Sequence, residues 1–212
     1  EWGTAMASPD EVKREELWNS ISHGIGIPLG IAALVVAVAF ASLERDIWKI
    51  VSVSIYGTTL VLMYTASTVY HAISGKAKRV WNLLDHSSIF LLIAGTYTPV
   101  ILAGMRTTLG WILFGVVWGL AVIGIVMKAV ARERALVIGT VLYAVMGWLI
   151  VVGFRELVTH LPPVSVQLLF AGGLAYTIGI LFFAWRRRYM HFVWHLFVLA
   201  GSALHFFAVL ML

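Results

Sequence analysis

The sequence predicts an all-α integral membrane bundle of seven spanning helices, with the N-terminus in the cytoplasm and the C-terminus outside. Three observations carry that prediction. Hydrophobic residues make up 61% of the 212 positions and charged residues 12%, with a mean hydropathy of +0.94, whereas an ordinary soluble domain is about half apolar. The apolar residues fall into seven runs, about 24–43, 50–73, 82–104, 109–130, 135–154, 164–185 and 190–212, each close to the ~20 residues that cross a bilayer as a helix. Eleven bases (Lys13, Arg14, Lys76, Lys78, Arg79, Lys128, Arg132, Arg134, Arg186, Arg187 and Arg188) fall on the side shared with the N-terminus. Only Arg45, Lys49, Arg106 and Arg155 lie opposite, and the base-rich side is the cytoplasmic one.

Residues 1–8 have neither periodicity nor apolar content and read as an expression-tag remnant outside the fold. Residues 9–23 carry Glu11, Lys13, Arg14, Glu15, Glu16 and Trp18, a polar helical segment expected along the cytoplasmic membrane surface. The seven-helix domain then occupies 24–212. Its first run ends in Ala39-Phe-Ala41, which has the form of a signal-peptidase site, but the stretch is long for a signal and reads as a retained helix. Pro28 and Pro99 predict kinks in the first and third helices. Gly104-Met-Arg-Thr-Thr divides the third run from the fourth, and Pro162-Pro163 closes the connector between the fifth and sixth. Gly115, Gly119 and Gly124 suit close helix contacts. Trp18, Trp48, Trp81, Trp111, Trp148 and Trp185 lie near run ends, as an aromatic belt places them.

Cysteine is absent, which excludes disulfides, thiolate nucleophiles and cysteine-type zinc sites, so a transition metal must be held by histidine and carboxylate. The net charge of +5 reports topology and not nucleic-acid binding.

The polar residues gather at one depth. His191 and His195 open the seventh run four residues apart, so both rings point the same way from one helix and can share an ion. His71 closes the second run, Asp85 and His86 open the third and His23 opens the first; all these ends face the cytoplasm. Asp85 alone among ten acids lies within an apolar run, where an unpaired charge costs about 2.5–3.5 kcal/mol. It is either a helix-start carboxylate at the headgroups or part of a site. His71, Asp85, His191 and His195 offer three imidazoles and a carboxylate to a divalent cation, and zinc suits them. Asp85 either binds the ion or orients a water on it. Ser67, one turn before His71, shares its face.

The remaining polar positions are weaker. His86 is turned about 100° from Asp85 and reads as a packing or interfacial residue; His160 reads as solvated. His205 lies ~15 Å beyond His195, bonding across helices or lining a cavity. Glu16, Asn19 and His23 form a polar face that suits either a cap or a site.

Four stretches in order, Glu16-Leu-Trp-Asn19-Ser-Ile-Ser22-His23, Ser67-Thr-Val-Tyr-His71, Leu84-Asp85-His-Ser-Ser and His191-Phe-Val-Trp-His195, resemble the successive motifs of the PAQR family in its bacterial hemolysin III branch. The similarity runs from about residue 11 to the end. It implies a seven-helix bundle with a zinc ion near the cytoplasmic face, His71, His191 and His195 as ligands, Asp85 holding the zinc-bound water and Ser67 close by. Receptor-like members are tied to ceramide hydrolysis, and the bacterial branch to haemolysis and membrane homeostasis. The short N-terminus and nearly absent C-terminal tail argue against hormone recognition.

The leading expectation is therefore a zinc-dependent hydrolase of lipid amides or esters in the bacterial cytoplasmic (inner) membrane. Its partners would be membrane lipids, without nucleic acid. The alternative is a non-catalytic membrane sensor in which zinc clamps helices. A pore-forming cytolysin comes third, because the outer half of the bundle offers few polar residues beyond Ser202 and His205. Haem held by two histidines fits the spacing, but His71 and Asp85 at the same depth suit zinc better. The seventh run has no lysine for a retinal Schiff base.

Overall fold

Ser8 opens the first helix. In this computed structural model, which describes residues 8–131, 136–185 and 187–212, the Ser8 hydroxyl accepts from the Glu11 N–H and the Glu11 carboxylate accepts from the Ser8 N–H. That is a capping box, and Pro9 at the first helical position needs no donor there. Residues 1–7 of the expected remnant, and Arg132, Arg134 and Arg186 of the charge count, lie outside the described residues.

Helix α1 (Pro9–Glu44) runs unbroken for 36 residues, about 54 Å at 1.5 Å per residue, well beyond the ~30 Å hydrocarbon layer. The expected surface segment 9–23 and the first span are thus one continuous helix, which passes through Pro28 without interruption. Arg45, in the left-handed region at φ 58°, ends it. Asp46 then caps α2 (Ile47–Ala72), its carboxylate accepting from the N–H groups of Trp48 and Lys49. Helix α3 (Ala77–Pro99) widens into a π turn over Val100–Gly104, at the proline whose ring crowds the carbonyl one turn back. Helix α4 (Thr108–Ala131) follows.

The fifth span is broken. Helix α5 (Leu136–Trp148) gives way to a 3-10 turn over Leu149–Gly153 and then to α6 (Phe154–His160). Tyr97 of α3 reaches into the break, donating from its hydroxyl to the Met146 carbonyl at 2.7 Å and accepting from the Ile150 N–H at 2.8 Å. The side chain thereby satisfies backbone groups that lipid cannot. Tyr97→Phe is expected to destabilise the protein by about 1–3 kcal/mol, the usual penalty for stranding such a group, read as a lower thermal midpoint in detergent. An unchanged midpoint would show that the break holds itself.

Helices α7 (Pro163–Ala184) and α8 (Met190–Leu210) complete the chain. Seven spans are long and apolar enough to cross a membrane, and no strand occurs among the described residues. Helix α1 packs on α2 and α8, α2 on α3, α3 on α4 and α7 on α8. The apolar stretch of the third span is 72% buried against 17% for the fifth, so α3 is the axis and the fifth span a lipid-facing wall. The core around α3 holds Phe90, Tyr97, Ile101, Met105, Val117 and Met146.

Two expectations about small and aromatic residues are corrected. Of Gly115, Gly119 and Gly124 only Gly124 makes a close contact, against the ring of Phe90, while Gly115 and Gly119 look onto open space. Trp18, Trp48, Trp111 and Trp185 are exposed as a belt requires. Trp148 is turned inward instead, because Thr177 on α7 offers its indole N–H an acceptor at 2.9 Å.

Candidate metal centre

His71 stands in the last turn of α2 and His191 and His195 in the first two turns of α8, so the i, i+4 pair on one helix meets a single imidazole from another. One coordinating atom from each of the three lies within 4.8 Å of the others. The ring centroids form a near-regular triangle with sides of 5.0, 5.1 and 4.7 Å. His195 is 1% exposed and His71 6%. Three such rings converging on a point inside an apolar bundle have no purely apolar purpose.

The hydrogen bonds show which nitrogens are free. His71 Nδ1 lies 2.7 Å from Glu16 Oε2, so Nδ1–H donates to the carboxylate; its Nε2 is buried with no partner among the described residues. His195 Nδ1–H is shared between the Asn19 carbonyl at 3.1 Å and the Ser22 hydroxyl at 2.9 Å, the latter donating in turn to the same carbonyl. Both tautomers are thus fixed with the Nε2 lone pair free, as when an outer carboxylate or carbonyl holds a metal-ligating histidine. The residues fit a zinc or similar divalent ion: three neutral nitrogens, one of them an otherwise orphaned buried acceptor, and an outer set already in place.

That outer set comes from α1. Glu16, Asn19 and His23 recur at helical spacing on one face, and that face lies over the cluster. Lys78 at 3.2 Å from Glu16 Oε2 balances its charge. Capping is therefore not the job of this polar face, since Ser8 is the cap.

His191 and His195 of the cluster head a cavity of about 1140 Å³, part of it open to the outside. Asp85 and Ser67 line it beside His23, His191 and His195, and apolar Ile89, Leu92, Ile93, Trp194 and Val198 continue the wall. Asp85 is buried and stands outside the coordinating triad. His205 marks the far end: it donates from Nε2 to the Leu169 carbonyl at 3.0 Å, and Gly172 gives it room, because a Cβ there would collide with its ring. His160 is exposed at the end of α6.

His86 does not behave as read from the helical wheel. It lines the same cavity as Asp85, with its Nδ1 at 3.8 Å from Asp85 Oδ2 and donating to the Asn82 carbonyl. Neighbours turned about 100° from each other cannot reach one point, but a cavity accepts both. Ser22, named above only as part of the first family-like stretch, is the outer partner that the sequence left without a role; its signal is its place one residue before His23 and one turn after Asn19. Tyr143, which borders the cavity and bonds to the His86 carbonyl at 2.7 Å, had no sequence signal because its partner lies on another helix.

A family described as Haemolysin-III related matches residues 12–206. The chain is similar to the Hemolysin-3 homolog of Bacillus subtilis (strain 168), 43% identical over 199 residues, which covers 93% of this chain and 93% of that protein. Hemolysin-3 of Bacillus cereus is 43% identical over 207 residues, covering 97% and 94%. The Monocyte to macrophage differentiation factor of Homo sapiens is 27% identical over 210 residues, covering 92% and 83%.

Proposed function

Since this chain belongs to the haemolysin-III related family and is a multi-pass integral protein of the cytoplasmic (inner) membrane, we propose that it is a metal-dependent hydrolase of lipid amides, ceramide-like, or of lipid esters, working at the cytoplasmic face. The observation that supports this reading is the triad of His71, His191 and His195, in which the buried His71 Nε2 has no partner among the described residues, beside an apolar cavity lined by His191, His195, Asp85 and Ser67. His71, His191 and His195 would hold a divalent ion such as zinc, which would supply Lewis acidity for a carbonyl and for water. The Asp85 carboxylate takes the proton of the attacking water and passes it to the leaving amine or alcohol as the acyl C–N or C–O bond breaks, and the Ser67 hydroxyl donates to the substrate carbonyl oxygen. The apolar wall receives the acyl chain and excludes bulk water. Zinc-loaded protein should release free fatty acid from one member of a broad panel of lipid amides and esters; a panel without turnover would retire the hydrolase.

A second reading, a membrane sensor or regulator with structural zinc, is favoured by the origin of the triad on α2 and α8, helices that α1 also joins. In that case metal binding is folding energy. A strong chelator is then expected to lower the thermal midpoint by several degrees with no activity lost. An unchanged midpoint would remove this reading.

A further inference from the structure

Helix α1 holds two rings of the triad directly, His71 through Glu16 and His195 through the Asn19 carbonyl and Ser22. The third ring, His191, packs on Phe183 of α7, and α1 meets it through the backbone. The Glu15 carboxylate accepts from the Tyr189 N–H at 3.0 Å in a partly buried contact. Tyr189 is the N-cap residue of α8, and His191 follows it by two positions. Glu11, one turn earlier than Glu15 on the same face of α1, pairs with Arg188 at 2.7 Å.

The turn into α8 has reason to need a hold from outside. Tyr189 sits in the left-handed region at φ 63°, which is unfavourable for a residue with a Cβ, and its side chain gives α8 no cap. A helix more often starts from a Ser, Thr, Asp or Asn that caps it. Here the acceptor comes from another helix, since Glu15 takes the N–H of the strained residue itself. Arg188 braces the other side, donating to the Tyr189 hydroxyl at 3.0 Å with its guanidinium 4.8 Å from the ring centre. Relaxation of Tyr189 out of the left-handed region would turn the first residues of α8. His191 lies in that turn, whereas His195 is a turn deeper and clamped by Asn19 and Ser22.

We infer that Glu15 is a positioning residue for the metal centre, fixing His191 by holding the left-handed turn at Tyr189, so that α1 sets all three rings. This rests on the metal-binding reading of the triad and not on hydrolysis. The test measures zinc affinity by competition with a chromophoric chelator, together with the visible spectrum of cobalt(II) at the same site, on the full chain in detergent. Glu15→Ala is expected to bind zinc about tenfold more weakly and to shift the cobalt bands, which report ligand geometry. Glu15→Gln keeps an oxygen acceptor and is expected to stay within about threefold of the wild type, with the wild-type spectrum. Tyr189→Gly added to Glu15→Ala is expected to restore both affinity and spectrum, because glycine holds a left-handed turn unaided.

Wild-type affinity in Glu15→Ala would overturn the inference. So would a loss that Tyr189→Gly does not rescue, or a loss with unchanged cobalt bands and a lowered thermal midpoint, since either marks a general loss of stability. A Glu15→Gln protein as weak as Glu15→Ala would overturn it too, placing the effect in the charge and not in the hold on the turn. Wild-type protein that binds neither zinc nor cobalt would overturn the metal centre itself, and the role of Glu15 with it.

Discussion

Purified His71→Ala is expected to bind zinc more than about 100-fold more weakly than the wild type, measured by elemental analysis after dialysis against chelators of graded strength. His191→Ala and His195→Ala are expected to do the same. Each removes one of three nitrogens that meet within 4.8 Å, and losing a ligand costs more than losing an outer partner, which alone weakens metal sites about 10–100-fold. If the protein is a hydrolase, turnover disappears with the ion. His160→Ala, at an exposed site away from the triad, is the control that keeps full metal content. A His71→Ala protein that retains stoichiometric zinc would mean that the ion is held elsewhere.

Glu16→Gln is expected to weaken zinc binding by about 10–100-fold while the fold survives. The amide keeps the carboxylate's size but not its charge, so the 2.7 Å contact with His71 Nδ1 loses its charge-assisted character, and the ring becomes a poorer electron donor. Lys78, 3.2 Å from the same oxygen, is left facing a neutral group. Glu11→Gln provides the contrast. Its pair with Arg188 at 2.7 Å is half-exposed and outside the triad, of a kind that contributes little, and zinc affinity should stay at the wild-type value. Equal affinities for Glu16→Gln and the wild type would show that the carboxylate merely seals the N-terminal segment.

Much of this arrangement was legible because its signals are local. Each span is announced by its own run of apolar residues, and the His191/His195 pair follows from helical spacing alone. His71 and Asp85 could be added because the ends of neighbouring helices fall at one depth in a bilayer. What escaped depends on the rotational setting of one helix against another. That Glu16 faces His71, 55 positions away, is fixed by how α1 lies on α2, which no window of sequence contains. The break in the fifth span escaped for the same reason. Leu149-Ile-Val-Val carries no helix breaker until Gly153, and the group that stabilises the break is Tyr97 on α3. Reading Trp148 as a belt residue failed because its acceptor, Thr177, sits on α7.

The centre draws its outer partners from α1 and two of its three nitrogens from α8, the first and last of the seven described spans to be made. Translation therefore cannot finish the site until every intervening span has been inserted. A chain arrested before residue 190 carries a lone His71 already paired with its carboxylate and nothing to close the coordination. Closure of the triad in this sense reports that the first and last of these spans have met across the bundle.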